Sequence, residues 1–486
     1  MTPLLLLLPV LFPMLAGFAL LLRPVAGRRF RNCIVMAAAL CNSALVFLLL
    51  FFVRRETVRI YSFIELFSIE FRVDGMAALF AGMLAFLWPP VLLYAFSYME
   101  HEPRQNQFFA FFLLTYGVTL GVAFAANLVT LYVFYEMLTL STLPLVTHNE
   151  NEDSLYAGRS YMVFCIGGAA LAFVAVVVAT LDNGGAFIYG GNLAGEFPPG
   201  LMRTAFFLGF FGFGTKAAVF PFYAWLPTAS VAPTPVTALL HAVAVVNTGL
   251  FSVTRLAWFA FGPELLAGSA AQSACIVFAS VSMVFAAAMA LRQRHFKRRL
   301  AFSTMSNLSY MLFGAVLLTP AGLLGALAHM LFHSIIKMSL FLCAGAVMCV
   351  SGREYLYELD GLGRRMPLTF ACYTLGALSL SGVPPFCGFV SKWRLLLAGA
   401  EASTKTSWFG VGALLLSAFF CAVYTLSVSV RAYFAHPRRT EGEEEGVLEA
   451  PWQMLLPICL FTVLNLLFGV FQQPVLRLLS GVANGA

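Results

Sequence analysis

The chain has 486 residues, of which 60% are hydrophobic and only 10% charged; the net charge is +7 and the mean hydropathy +0.87. These values exclude a water-soluble globular protein and place the chain in a bilayer. Arginines at the membrane interface account for the positive charge, which therefore supports no nucleic-acid partner.

Crossing the hydrocarbon takes roughly 20 apolar residues per helix, and about fourteen such segments follow in chain order. They fall near 2 to 22, 31 to 53, 75 to 99, 106 to 126, 128 to 147, 154 to 180, 203 to 226, 235 to 258, 270 to 291, 300 to 318, 321 to 350, 367 to 397, 407 to 434 and 452 to 476. The expected fold class is thus an all-α integral membrane protein. The first segment lacks the basic start and A-x-A cleavage site of a signal peptide and is expected to be a retained span. Basic loops alternate with nearly basic-free ones: Arg23, Arg28, Arg29 and Arg31; Arg292, Arg294, Lys297, Arg298 and Arg299; Arg353, Arg364 and Arg365; Arg438 and Arg439. By the positive-inside rule these loops face the cytoplasm and both termini face outward. The stretch 54 to 74, with Arg54, Arg55, Arg59 and Arg72, runs against this pattern; its alternation suits an extracytoplasmic hairpin. The acidic run Glu441, Glu443, Glu444 and Glu445 reads as a solvated loop.

Ten cysteines are scattered from Cys33 to Cys459 without a C-x-x-C pair, and read as small packing residues. No nucleotide-binding motif or thiolate cluster is present, so the chain is expected to hold no cofactor and no metal; any redox centre belongs to other chains.

Five lysines occur among 29 basic residues, and three of them, Lys216, Lys337 and Lys392, lie inside apolar stretches. Lysine can release its proton when desolvated and arginine in practice cannot, so these positions point to proton chemistry. Pro221 interrupts the Lys216 span, and Pro384 with Pro385 interrupts the Lys392 span. The patterns Pro221-Phe-Tyr-Ala-Trp and Pro385-Phe-Cys-Gly-Phe match. The second break comes five spans after the first, so the two broken helices run in opposite directions, the mark of an inverted repeat; broken helices in transporters line polar cavities. A tolerated proline kink is the plainer reading of one such break, but two matched breaks with lysines argue against it.

Glu136 lies well inside span five and is a functional candidate by default, with Lys216 its natural partner and a structural salt bridge the alternative. His329, His333 and Lys337 recur every four residues on one face of span eleven, a stripe suited to proton relay. Haem ligation fits poorly, because two histidines a turn apart cannot take opposite axial positions. His241 in span eight is either a relay member or a histidine bonded to a neighbouring helix.

These residues closely resemble the antiporter-like membrane subunits shared by respiratory complex I, Mrp-type cation/proton antiporters and membrane-bound hydrogenases. The resemblance covers roughly residues 75 to 434 and rests on Tyr135-Glu136, Lys216 with Pro221-Phe-Tyr-Ala-Trp-Leu-Pro, Ala232-Pro-Thr-Pro-Val-Thr-Ala-Leu-Leu-His241, and Lys297-Arg298-Arg299-Leu-Ala-Phe-Ser303. It continues through His329-Met-Leu-Phe-His333 to Lys337, Gly361-Leu-Gly-Arg-Arg-Met-Pro367 and Gly388-Phe-Val-Ser-Lys392. It implies fourteen spans, with three N-terminal helices in 1–105, inverted five-helix repeats in 106–258 and 270–434, and a loop with a last helix in 435–486. It also implies Glu136 and Lys216 as a charge pair, His329, His333 and Lys337 as a relay, and Lys392 as the terminal site of a proton path.

One departure is Asn247, which stands where many members carry a lysine; the centre of the path must then lean on His241 or on water. The chain is also expected to lack the long lateral helix of the most distal complex I subunit. The resemblance implies a non-catalytic translocating subunit of a redox-driven complex in a bacterial or archaeal cytoplasmic membrane. Its partners would be other, partly homologous, membrane subunits and redox subunits with iron-sulfur centres. The alternatives are a sodium/proton antiporter subunit without electron transfer, and a scaffold whose channel has decayed.

Overall fold

A computed structural model describes residues 3–52, 56–64, 67–192, 195–436 and 446–485. Arg54, Arg55, Arg438, Arg439 and the acidic run of Glu441, Glu443, Glu444 and Glu445 lie outside the described residues. The chain is built of helices α1 (Pro3–Leu22), α2 (Arg28–Phe52), α3 (Gly75–Tyr98), α4 (Gln105–Phe124), α5 (Leu128–Val146), α6 (Glu152–Asn183), α7 (Pro199–Gly214), α8 (Trp225–Thr228), α9 (Thr234–Ala242) and α10 (Val245–Arg255). They are followed by α11 (Pro263–Leu266), α12 (Ala270–Arg292), α13 (Phe296–Val316), α14 (Pro320–Ser351), α15 (Pro367–Ser381), α16 (Cys387–Glu401), α17 (Lys405–Phe434), α18 (Trp452–Val470) and α19 (Gln472–Ala483). Between α2 and α3 the expected hairpin forms from β1 (Val58–Ile64) and β2 (Phe67–Phe71), paired antiparallel.

Helix is the structure these apolar runs must adopt, because in lipid every backbone N–H and C=O has to be satisfied within its own segment. Polar residues sit where the helices begin. Asp74, Asn127 and Asn151 accept from the backbone N–H of Ala77, Thr130 and Ser154 at 2.9, 2.8 and 2.8 Å, meeting donors that no helical turn supplies.

Among the described residues eleven helical segments are long and apolar enough to cross a membrane, α9 and α10 counting as one. Three segments expected to span fall short of that measure for identifiable reasons. α7 ends after 16 residues at the first interruption, and α15 and α16 have 15 residues each on either side of the second. α13 has 21 residues but carries Lys297, Arg298 and Arg299 followed by a polar run through Ser309.

The helix α14 runs through the middle of the bundle and packs against α9, α13, α15, α16 and α18. Around it, α12 lies on α13 and α17, α6 on α7, and α1 on α4. Large apolar side chains such as Leu15, Phe51, Val163, Phe419 and Leu456 are exposed on the outer helices, as a lipid-facing surface requires. Two glycines let neighbours cross the interruptions. A Cβ on Gly249 of α10 would come within 2.5 Å of the Ala217 nitrogen, and one on Gly469 of α18 would overlap the Pro385 carbonyl.

Candidate functional site

The first interruption unwinds residues 215–224, with Lys216 on the unwound segment and Pro221 in its middle. The carbonyls freed by the break find donors from other elements. Tyr135 of α5 reaches the Gly212 and Phe213 carbonyls with its hydroxyl at 3.3 Å each, and the Trp225 indole donates to the Thr215 carbonyl at 2.8 Å. Lys216, fully buried, donates its ammonium to the Tyr135 carbonyl and lies 3.6 Å from the Tyr135 ring centroid. Glu136, the next residue, is half-buried and makes no ion pair with Lys216 among the described residues. Its Oε1 is buried without a hydrogen-bond partner, and the two groups act on each other through space. The expected approach of Glu136 to Lys216 is therefore electrostatic, not a direct bond.

The second interruption separates α15 from α16 at residues 382–386, which include Pro384 and Pro385. Lys392 sits in the second turn of α16 and donates back to the Leu380 carbonyl at 2.5 Å, placing a cation at the C-terminal, electronegative end of α15. The peptide bonds before Pro221 and Pro385 are both cis.

Between the breaks, α14 presents His329, His333 and Lys337, all fully buried. His329 bonds Ser391, the neighbour of Lys392, through Nδ1 at 2.8 Å, and Asn307 through Nε2 at 3.2 Å. Its ring centroid lies 5.8 Å from that of His333. Lys337 donates to the Leu300 carbonyl at 3.0 Å and to Ser303. His241 stacks on Phe341 at 4.9 Å, and the Lys337 ammonium lies 5.8 Å from the same ring. Neither ring nitrogen of His241 or His333 has a hydrogen-bond partner among the described residues. Buried polar atoms without protein partners mark the places where water belongs in such an interior.

The structure thus brings His241, Lys337, His333, His329 and Lys392 into one cluster, while Glu136 and Lys216 form a separate pair. The gap between the two is crossed by α10, whose Gly249 lies against Lys216. On the same helix Asn247 donates to the Ala242 carbonyl at 2.8 Å and to Ser334 at 2.9 Å. The buried Thr248 hydroxyl on that helix has no hydrogen-bond partner among the described residues.

Three features escaped the sequence reasoning. Span eight is itself interrupted, between α9 and α10 and just after His241; no proline marks the place, and Asn247 satisfies the carbonyl it frees. Lys297, expected in a basic loop, is buried in the first turn of α13 with its ammonium on the Ala232 carbonyl at 3.0 Å. Being a lysine among arginines was the signal that could have found it. The third is a buried pair at the β-hairpin end of the bundle: Arg255 contacts both carboxylate oxygens of Asp74 at 2.7 Å. Burial alone would raise the Asp74 carboxyl, but Arg255, the Ala77 N–H and Arg72 hold it down at about 2.

The family described as "NADH:quinone oxidoreductase/Mrp antiporter, TM" matches residues 125–420, and "NADH-Ubiquinone oxidoreductase (complex I), chain 5 N-terminus" matches residues 66–109. The chain is 31% identical over 489 residues to NADH-quinone oxidoreductase subunit N of Desulforudis audaxviator, covering 96% of each protein. It is 32% identical over 430 residues to a Na(+)/H(+) antiporter subunit of Alkalihalophilus pseudofirmus, covering 82% of this chain and 52% of that one. The chain therefore spans about half the length of that antiporter protein. Among the solved structures that share its fold are two membrane complexes. One is the membrane-bound sulfane sulfur reductase, an archaeal respiratory membrane complex, with a TM-score of 0.85 at 24% identity over 98% of this chain and 96% of that one. The other is the Mrp complex from Dietzia sp. DQ12-45-1b, with a TM-score of 0.86 at 22% identity over 99% and 97%. The chain is a multi-pass membrane protein of the NADH:quinone oxidoreductase/Mrp antiporter family.

Proposed function

We propose that this chain is a proton-translocating subunit of a redox-driven membrane assembly, and that Glu136, Lys216, His241, His329, His333, Lys337 and Lys392 carry the protons. The observation that supports this reading best is the run of buried basic groups from His241 and Lys337 through His333 and His329 to Ser391 and Lys392. Each member can gain or lose a proton when its neighbours change charge, and coupled groups titrate together and not one by one. The helix breaks at Pro221 and Pro384–Pro385 supply polar backbone at membrane depth, where it is tolerated only when buried in protein or lining a hydrated cavity.

In this proposal the two breaks belong to inverted repeats within 106–258 and 270–434, preceded by three spans and followed by one, fourteen in all. Both termini face outward from a cytoplasmic membrane. The likeness to a quinone oxidoreductase subunit favours partners that include related membrane subunits and redox subunits bearing iron-sulfur centres. The likeness to an antiporter protein favours sodium/proton exchange as the second reading. Against it, the central stripe holds lysines and histidines and no carboxylate, so a sodium ion there would meet positive charge with no anionic ligand to offset it.

The test is proton transport by the intact assembly in sealed vesicles carrying Lys216→Ala. A loss of tenfold or more at unchanged assembly level is expected, with transport dependent on an electron donor and indifferent to sodium. Unchanged transport would overturn the proposal.

A further inference from the structure

On the arginine-rich side of the bundle a cavity of about 290 Å³ opens between the start of α6, the start of α13 and the segment after α14; Asn149, Asp153, Ser230, His295, Lys297 and Glu354 line it. Asn149, Asp153 and Glu354 are exposed at its mouth, whereas Ser230 and Lys297 at its floor are buried. The Ser230 hydroxyl and the Nδ1 of His295 have no hydrogen-bond partner among the described residues, so the floor and wall offer polar atoms to whatever enters. Lys297 pairs with no carboxylate among the described residues; its one hydrogen bond goes to the Ala232 carbonyl, and Glu354 acts on it through space.

Behind the floor, α13 and α9 lead inward. Lys297, the Leu300 carbonyl and Ser303 lie on successive turns of α13, and the latter two hold the Lys337 ammonium. Six residues of helix place Ser303 roughly 9 Å deeper than Lys297. Ala232, which Lys297 bonds, stands just before α9, whose far end carries His241; both Lys297 and Lys337 act electrostatically on His241. Among the described residues no hydrogen bond joins Lys216 to these groups; its ammonium goes to the Tyr135 carbonyl.

We propose that Lys297 is a proton-uptake site, loading His241 and Lys337 from the arginine-rich side by a route separate from Glu136 and Lys216. This rests on the proton-transport reading above. Asp153, Glu354 and His295 collect protons at the mouth. Burial, and then the Lys297 charge, pushes the His295 imidazole below its ordinary value, while Glu354, 3.4 Å from its Nε2, acts in the opposite sense. The ammonium at the floor repels metal cations yet passes a proton by releasing one inward and regaining one from the cavity. The route also explains how the central cluster can be charged although Asn247, which cannot act as a base, stands between it and Lys216.

The test uses the full assembly in sealed vesicles of defined orientation. A Lys297→Cys or Ser230→Cys variant is treated with a membrane-impermeant maleimide from either side and read by peptide mass spectrometry; Ser230→Cys serves where the lysine variant does not assemble. Labelling only from the arginine-rich side is expected, and no labelling, or labelling only from the other side, overturns the route. Lys297→Arg keeps the charge and the hydrogen bond but cannot release a proton, and at least a fivefold loss of proton transport is expected. Wild-type transport in Lys297→Arg overturns the uptake role. If Lys216→Ala and Lys337→Arg abolish transport in the same assay, only the route has failed; if they too transport normally, the proton-transport reading has failed with it.

Discussion

Asn247 donates its side-chain amide to the Ala242 carbonyl at 2.8 Å, across the interruption that separates α9 from α10. The same amide reaches Ser334 on α14 at 2.9 Å, and Ser334 itself donates to the Ala242 carbonyl at 2.7 Å. Asn247 therefore joins the broken span to the histidine-bearing helix instead of relaying protons itself. An Asn247→Leu change fills similar space but removes two hydrogen bonds and leaves Ser334 as the remaining donor to the Ala242 carbonyl, a loss of about 1–3 kcal/mol. Thermal unfolding in detergent is expected to show the destabilisation, with slower proton transport by the assembly. Unchanged behaviour in both measurements would contradict this role.

Asp74 supplies a pH prediction. Its carboxyl sits at about 2 in the folded chain against an ordinary value of 3.8. A depressed carboxylate stabilises the fold fully above the ordinary value and loses that contribution as pH falls through the depressed one. The difference corresponds to about 2 kcal/mol, present above roughly pH 4 and lost toward pH 2. Acid unfolding of the wild type is expected to steepen in that window. Asp74→Asn strands the buried Arg255, a cost of about 3–5 kcal/mol, and its stability is expected to be low and to lose the Asp74 share of the acid dependence.

Glu136 is half-buried, with one carboxylate oxygen unpartnered and Lys216 held by the neighbouring carbonyl, not by the carboxylate. Glu136→Gln should then preserve the packing and remove only the charge that acts on Lys216. Proton transport is expected to fall about tenfold while the assembly level and thermal stability stay near wild type. A stability loss matching that of a broken buried ion pair would show that the group is structural.

Much of this was legible in the sequence because the bilayer simplifies the problem. Apolar runs must be helices, and prolines at 221, 384 and 385 must free carbonyls. A spacing of four in His329, His333 and Lys337 must put them on one face. What was not legible depends on contacts between distant segments. The interruption after His241 has no proline and is held open by Asn247 and Ser334 from two other turns of the bundle. Lys297 looked like a loop residue because Arg298 and Arg299 follow it, yet the helix start turns its side chain inward to Ala232. The Arg255–Asp74 pair joins residues 181 positions apart, beyond the reach of any local pattern.

The central claim is that the buried bases on α14 move protons and do not merely hold charge. Lys337→Arg tests it most directly, since arginine retains a cation beside Leu300 and Ser303 but cannot give up its proton. Measured as vesicle acidification by the intact assembly with its electron donor supplied, proton transport is expected to fall by tenfold or more while electron transfer is still detectable. Proton transport at the wild-type rate in that variant would contradict the account.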